Sequence, residues 1–491
     1  MKDKAQKREL FDSQAAQRDH WKQKNQYYYK ELESFLSFLI PSDASVLEIG
    51  CGTGDLLARL NPPWGHGIDF SPAMIEVARR KYPPDRFENL AFSVDDIEDL
   101  KHRDTYDHII MSDVLGDLTD VWAAFRNMRT VCHPGSRIII TYFNPLWEPV
   151  LRLGERLGMK IPQDYQNWLS LNDIHNLLDL NGFEVIKKGQ LLLLPKQVPF
   201  LSTFLNRYVA KIPLLCRLPL VVYLIARPVV PERTPDRRPS VSVIVPCRNE
   251  EGNIRPAVER IPEMGSHTEI LFVDGLSTDG TVAAIEDAME EFKGIKDIKL
   301  LHQVPPGTGH AGREGKMLKL GKGDAVRKGF AAASGDILMI LDADLTVPPE
   351  DLPKFYLALT EGVGEFINGT RLIYPMEEQA MRFLNKLGNK FFSLAFTWLL
   401  DQRIRDTLCG TKVLFKKDYQ KIANGRSFFG DFDPFGDFDL LFGAAKLNLK
   451  IVEVPIRYRR RTYGDIKIER FKHGLILLKM SGVAMRKLKL R

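Results

Sequence analysis

The chain of 491 residues is poor in cysteine: Cys51, Cys132, Cys216, Cys247 and Cys409 are odd in number, scattered, and form no C-x-x-C pair. That scatter excludes a disulfide framework and a cysteine metal cage, and it fits thiols kept reduced in a cytoplasmic setting. Long apolar runs are also lacking. The longest, LPLVVYLIA (218–226) and FFSLAFTWLL (391–400), reach no more than ten residues, against the ~20 that span a bilayer. The charged start MKDKAQKREL has no apolar core, so no secretory signal is expected. Charge of one sign is in small excess, 69 Lys and Arg against 63 Asp and Glu, a net +6. Over this length that does not argue for nucleic acid. Internal repeats are absent.

What is present is globular: 44% hydrophobic and 27% charged residues, in a chain too long for one ordinary core. Strand-like and helix-like segments alternate from residue 45 to 227, through VLEIG, GIDFS, FSVDD, HIIMSD, RIIITYF, FEVIKK and VVYLIA. The rhythm predicts a mostly parallel sheet with helices on both faces. Residues 228–240, PVVPERTPDRRPS, hold four prolines and a run of charge, and read as a linker. A second alternation begins at SVIVPC and runs through EILFVDG, IKLLHQV, ILMILDAD and EFINGTR. The expected organisation is a domain at 1–227, the linker, and a second α/β domain at 241–491.

VLEIGCGTG sets an apolar strand directly before a glycine loop, where Gly50, Gly52 and Gly54 let backbone approach a ligand. Asp69 ends the next strand, where a carboxylate can hold ribose hydroxyls, and Asp96-Ile97 ends the third, at an adenine position. These residues resemble the class I S-adenosylmethionine-dependent methyltransferases, over roughly residues 20–227. The resemblance implies a Rossmann-like sheet. It places Glu48, Gly50, Gly52 and Gly54 round the methionine part of S-adenosylmethionine, Asp69 at the ribose, Asp96 and Ile97 at the adenine, and Asp113 beside the sulfonium. His108, His133 and Asp113 are the available bases, and the pattern selects none of them. A non-catalytic scaffold is the alternative for this domain.

GDILMILDADLTVPPEDL delivers Asp342 and Asp344 to one side of a strand end, with one residue between them. Two hard oxygen ligands so placed suit Mg²⁺ or Mn²⁺ on a diphosphate. With VPCRNEE (245–251) and VDGLSTDGT (273–281), the stretch resembles family-two glycosyltransferases of the GT-A fold, particularly the polyprenyl-phosphate (dolichol-phosphate mannose or glucose) synthases, over roughly 240–475. The resemblance implies an inverting hexosyltransferase with a UDP- or GDP-sugar donor. Pro246, Asn249, Glu250 and Asp274 would meet the nucleotide, Asp342 and Asp344 the metal, and Thr346 a further polar position. Asp274-Gly275 departs from the two consecutive acids common in the family. Lys322 and Asp324 begin a helix, Lys322 to neutralise phosphate and Asp324 to cap the helix and touch the nucleoside. PPGTGHAGREGKMLKLG before them reads as a mobile lid.

A lipid phosphate arrives ionised and needs cations, whereas a hydroxyl acceptor needs a base. RYRRRTYGDIKIERF (457–471) matches the family's R-x-x-G-x-x-K element, giving Arg461 and Lys467 to phosphates, with Arg371 as a further one. Asp437 and Asp439 match the acidic helix start where related sugar transferases keep a base, and Asp439 aligns better. The polyprenyl phosphate is the expected acceptor and a hydroxyl the alternative. Arg382, Lys386 and Lys390 recur every four residues against the apolar face of FFSLAFTWLL, and the C-terminus is basic, so the expected membrane contact is peripheral, at the cytoplasmic face.

Overall fold

The computed structural model describes residues 4–163, 166–212, 215, 217–229, 238–304, 321–371, 383–428, 437–459, 461, 463 and 478–490, with the side chains of 383–389 and 437 left out. Two compact units divide the chain, Met1–Val230 with Leu490–Arg491, and Pro231–Lys489.

The first unit is built on β1 (Val46–Ile49), β2 (Gly65–Asp69), β3 (Leu90–Val94), β4 (Tyr106–Ser112), β5 (Cys132–Phe143), β6 (Phe183–Leu191) and β7 (Val221–Pro228). Their order is β3-β2-β1-β4-β5-β7-β6, parallel except for β7, which runs antiparallel between β5 and β6. Strand alternation sorts side chains to the two faces. Leu47, Ile109, Met111, Ile138 and Ile140 enter one core, and Val46, Ile110 and Ile139 the other. Burial on both sides explains why these strands read as continuous apolar runs.

The second unit repeats the logic with β8 (Val241–Cys247), β9 (Thr268–Asp274), β10 (Asp297–His302), β11 (Ile337–Ile340), β12 (Phe366–Thr370), β13 (Lys412–Phe415) and β14 (Ile451–Pro455). The order is β10-β9-β8-β11-β13-β12-β14, with β13 antiparallel to both its neighbours. Val243, Val245, Met339 and Leu341 serve one core, and Ile244, Leu338 and Ile340 the other. β13 and β14 were not singled out in the sequence.

In each sheet neighbouring parallel strands lead outward in opposite chain directions from one switch point, between β1 and β4 and between β8 and β11. A crevice opens at the carboxyl ends of the strands at such a switch point. The glycine loop follows β1 and Asp113 follows β4, while Asn249 follows β8 and the paired acids follow β11. Both sequence-derived sites therefore fall where this topology makes room for a ligand.

Candidate functional sites

Gly50, Gly52 and Gly54 all have left-handed backbone, φ +71°, +54° and +78°, which a side chain would oppose. Gly52 donates its N–H to Asp69 Oδ2 at 2.9 Å, and Ser71 N–H donates to Oδ1 at 2.9 Å. Burial raises the Asp69 carboxyl while these two donors work against it. Gly50, Gly52, Asp69, Asp96, Ile97 and Asp113 all line one cleft of about 770 Å³, part of it open to solvent. Two of the expected cofactor residues are absent from its lining. Glu48, 4% exposed, turns to accept the Leu57 N–H at 3.1 Å, fixing the start of the helix Asp55–Leu60. Gly54 precedes that helix, and a Cβ there would collide with Phe92. Both shape the loop without facing the cleft.

Asp113 also has left-handed backbone, φ +58°. Tyr28 donates its hydroxyl to Asp113 Oδ2 at 2.6 Å, and Asp113 Oδ1 is buried with no hydrogen-bond partner among the described residues. Burial pushes the carboxyl up to about 6, against the opposing pull of the Tyr28 hydroxyl. His108 lies far from this edge, in register with Val46 at the start of β1, and His133, at the start of β5, contacts Asp107 of β4 at 3.3 Å. Sequence reasoning missed the N-terminal residues that reach the cleft, Lys4, Lys7, Phe11 and Arg18. Lys4 pairs with Asp96 at 2.5 Å and with Glu98 at 2.9 Å. The spacing of Lys4, Lys7 and Phe11 along one helical stripe was the available signal.

In the second unit, Asn249 follows Pro246 at the end of β8, with φ +52°. Its N–H donates to Ser277 Oγ at 3.0 Å, and its side-chain oxygen accepts the Thr278 N–H at 2.8 Å. VPCRNEE and VDGLSTDGT are thereby tied together. Asp274 accepts from the N–H groups of Leu276 and Ser277, and His302 Nδ1 stands 3.5 Å from it. Glu250 accepts from Asn253 Nδ2 at 2.8 Å and pairs with Arg461.

Lys322 Nζ lies 2.6 Å from Asp342 Oδ1. Burial would raise Asp342, but the Lys322 ammonium, Lys412 and Arg371 together hold the carboxyl below its ordinary value. Asp344 moves the other way: burial first, then the Asp342 charge, raise it against the Thr346 N–H and hydroxyl that bond its Oδ1. Arg461 reaches within 3.9 Å of its Oδ2. The Asp342 charge raises the cost of ionising Asp344 at the same strand end, a repulsion that a divalent cation would relieve. Among the described residues no group of three or more His, Cys, Asp or Glu gathers round one point, so donor phosphates would have to complete the coordination.

Arg371 gives Nε and a terminal nitrogen to Asp406 at 2.7 and 2.8 Å and lies against the Tyr458 ring. Its guanidinium braces the sheet end instead of pointing at a phosphate, because a fully buried Asp406 demands a bidentate partner. Asp439, in the first turn of the helix Asp437–Lys446, is engaged by Arg426 Nε at 2.6 Å. Asp324 does not cap its helix, whose N-cap is Gly321; it accepts from Gln303 at 3.0 Å and pairs with Lys328 at 3.1 Å. Thr346 orients Asp344. Lys467, the Asp437 side chain, Arg382, the Lys386 side chain and the loop 305–320 lie outside the described residues. Gly410 and Lys412 were missed, being distant in sequence and without a motif of their own.

The family model described as "Methyltransferase domain" matches residues 40–185, and that described as "Glycosyl transferase family 2" matches 242–308 and 318–422. A dolichol-phosphate mannosyltransferase of Saccharomyces cerevisiae is 34% identical over 246 residues, covering 46% of this chain and 80% of that protein. A dolichol-phosphate mannosyltransferase of Pyrococcus furiosus is 27% identical over 253 residues, 49% of this chain and 64% of that one. Among solved structures, an S-adenosylmethionine-dependent methyltransferase from Thermotoga maritima aligns with a TM-score of 0.36 at 18% identity, covering 45% of this chain and 99% of that one.

Proposed function

Because the chain belongs to glycosyl transferase family 2 and carries a methyltransferase domain ahead of that region, we propose that its second unit moves a hexose from a UDP- or GDP-sugar to a polyprenyl phosphate, and that its first unit transfers the methyl group of S-adenosylmethionine. The paired acids at the β11 switch point carry this reading. Asp342 and Asp344 would hold Mg²⁺ or Mn²⁺, which supplies charge neutralisation on the departing diphosphate. Lys322 and Arg461 sit on these acids and are placed to turn to phosphate oxygens. Pro246, Asn249, Glu250 and Asp274 form the nucleotide wall at the end of β8 and β9.

The acceptor oxygen would attack the anomeric carbon as its bond to the diphosphate breaks. One displacement inverts that centre and leaves a nucleoside diphosphate and a polyprenyl-phosphate hexose. An acceptor that arrives ionised asks nothing of Asp439, whose carboxylate Arg426 already engages; this favours the lipid phosphate over a hydroxyl. In the first unit, Asp69 would take the ribose, Asp96 and Ile97 the adenine, and Asp113 the sulfonium side. The domain bounds proposed are 1–227 and 241–491. No helix among the described residues is long and apolar enough to cross a membrane, and the lipid substrate would be met by peripheral contact at the cytoplasmic face.

Purified protein incubated with Mn²⁺, a panel of nucleotide sugars and a short polyprenyl phosphate should yield a hexosylated lipid phosphate by mass. Asp342→Ala with Asp344→Ala should abolish the product and leave S-adenosylmethionine binding, measured by calorimetry, intact. Full transfer by the double variant would refute the metal assignment.

A further inference from the structure

The sequence pointed to the second unit for membrane contact, but an exposed apolar surface also lies on the first. After β5 comes the helix Glu148–Arg156, and Val150, Leu153 and Leu157, three and four residues apart, share one exposed face of that helix and its end. After β6 comes the helix Leu201–Arg207, from which Phe204 and Tyr208 are exposed, with Phe200 just before it 93% exposed. The flanks of the two segments meet at one residue: Asn25 Nδ2 donates to the Met159 carbonyl at 3.2 Å, and Lys196 Nζ donates to Asn25 Oδ1 at 2.9 Å.

Phe200 carries a second signal, for its φ of +61° is left-handed. A phenylalanine without glycine's freedom is held there under strain, with its ring exposed among the described residues. Strain of this kind persists where a function fixes it. Charge then selects the occupant. From Glu184 to Glu232 there is no acidic residue, while Lys187, Lys188, Lys196, Arg207, Lys211 and Arg217 fall in that stretch; Arg227 is buried against Glu184 and is not counted with them. A second copy would bring the same positive charge against itself, whereas an anionic lipid surface complements it.

We infer that the face formed by helices 148–156 and 201–207, tipped by Phe200, docks the methyltransferase unit onto an anionic membrane surface. The apolar side chains enter the interface and the basic ones meet the headgroups. β5 and β6 end, and β7 begins, at the same sheet edge as the cleft, since Phe143 and Leu191 both pair with Val221. The connection to the cleft is short: Lys160 lies over the Phe143 ring, Phe143 packs on Tyr28, and Tyr28 bonds Asp113. A membrane at this face would bring a lipid-borne methyl acceptor to the carboxylate. This deepens the peripheral contact proposed above and is independent of the hexosyl reaction.

The test is co-sedimentation of the full chain with phosphatidylcholine vesicles, with and without phosphatidylglycerol, together with hydrogen exchange on the bound protein. The wild type should bind the anionic vesicles and gain protection over 148–160 and 196–212. Phe200→Ser with Phe204→Ser should lower binding at least about tenfold, with S-adenosylmethionine affinity and melting temperature unchanged. Leu153→Ser with Leu157→Ser, on the other helix, should do the same. Unchanged binding in both variants, or protection confined to the helix Phe383–Leu400, would overturn the inference. So would a wild-type dimer that these substitutions dissolve without vesicle binding in either protein. Vesicle binding without hexosyl transfer would leave the docking face standing and refute only the reaction.

Discussion

At Gly410 the local geometry makes a single methyl group decisive. A Cβ there would press on the Asp342 carboxylate and stand 2.6 Å from Lys322 Nζ, so Gly410→Ala must displace one of the two metal-side groups. Misplacement of a reacting constellation by about 1 Å costs on the order of a hundredfold in rate. Gly410→Ala should therefore lose hexosyl transfer by roughly that factor and weaken Mn²⁺ binding, read by paramagnetic resonance, while the melting temperature holds. Asp113 makes a different prediction. Its carboxyl is raised to about 6 by burial, so the folded state binds its proton more tightly than the unfolded chain does. The associated stability is present below about pH 4 and is lost as pH rises through 6. Asp113→Asn removes that loss. The variant's first-unit melting temperature should exceed the wild type's at pH 7.5, and the difference should vanish near pH 4; a constant difference would show that the carboxyl does not titrate there.

Among the elements, the helix Lys4–Gln14 is weakly anchored, with no buried residue of its own. It is held over the cleft by the Lys4 pairs, by Phe11 against Phe70 at 5.2 Å, and by Asp12 accepting from Ser71. A chain beginning at residue 15 loses these contacts, worth about 1–2 kcal/mol together. Its S-adenosylmethionine Kd should rise about tenfold, with faster association in stopped flow. Which elements were legible beforehand follows from how local their signals are. The glycine loop after β1 and the D-x-D after β11 could be read because strand, turn and ligand groups lie within ten residues. Six of eight expected cofactor residues then line one cleft, because strand ends at a switch point converge without long-range detail. Arg371 was not legible in the same way: its partner Asp406 is 35 residues away in sequence, and a guanidinium beside a phosphate or a buried carboxylate has the same local pattern. Glu48 likewise looked like a ligand, because nothing in VLEIG shows that its side chain turns toward Leu57. The 148–157 stripe has the period of any core-facing helix, and only its exposure in the fold separates docking from packing.

For the whole molecule, the main question is whether two reactions in one chain imply one cooperative fold. Each unit holds a complete seven-stranded sheet with apolar clusters on both faces, and each cluster draws its buried residues from a single unit. Burial of that kind lets each unit melt on its own account. A ligand bound only by one native unit stabilises that unit by RT ln(1 + [L]/Kd), about 2.7 kcal/mol at a hundredfold excess over Kd. For units of this size such a gain moves a melting temperature by roughly 5–10 °C. Scanning calorimetry should then resolve two transitions, one raised only by S-adenosylmethionine and the other only by Mn²⁺ with a nucleoside diphosphate. Asp342→Ala with Asp344→Ala should silence the second response and leave the first. A single transition that either ligand shifts would instead mean that the two sheets unfold together, and the methyl and hexosyl sites would then be thermodynamically linked through the fold.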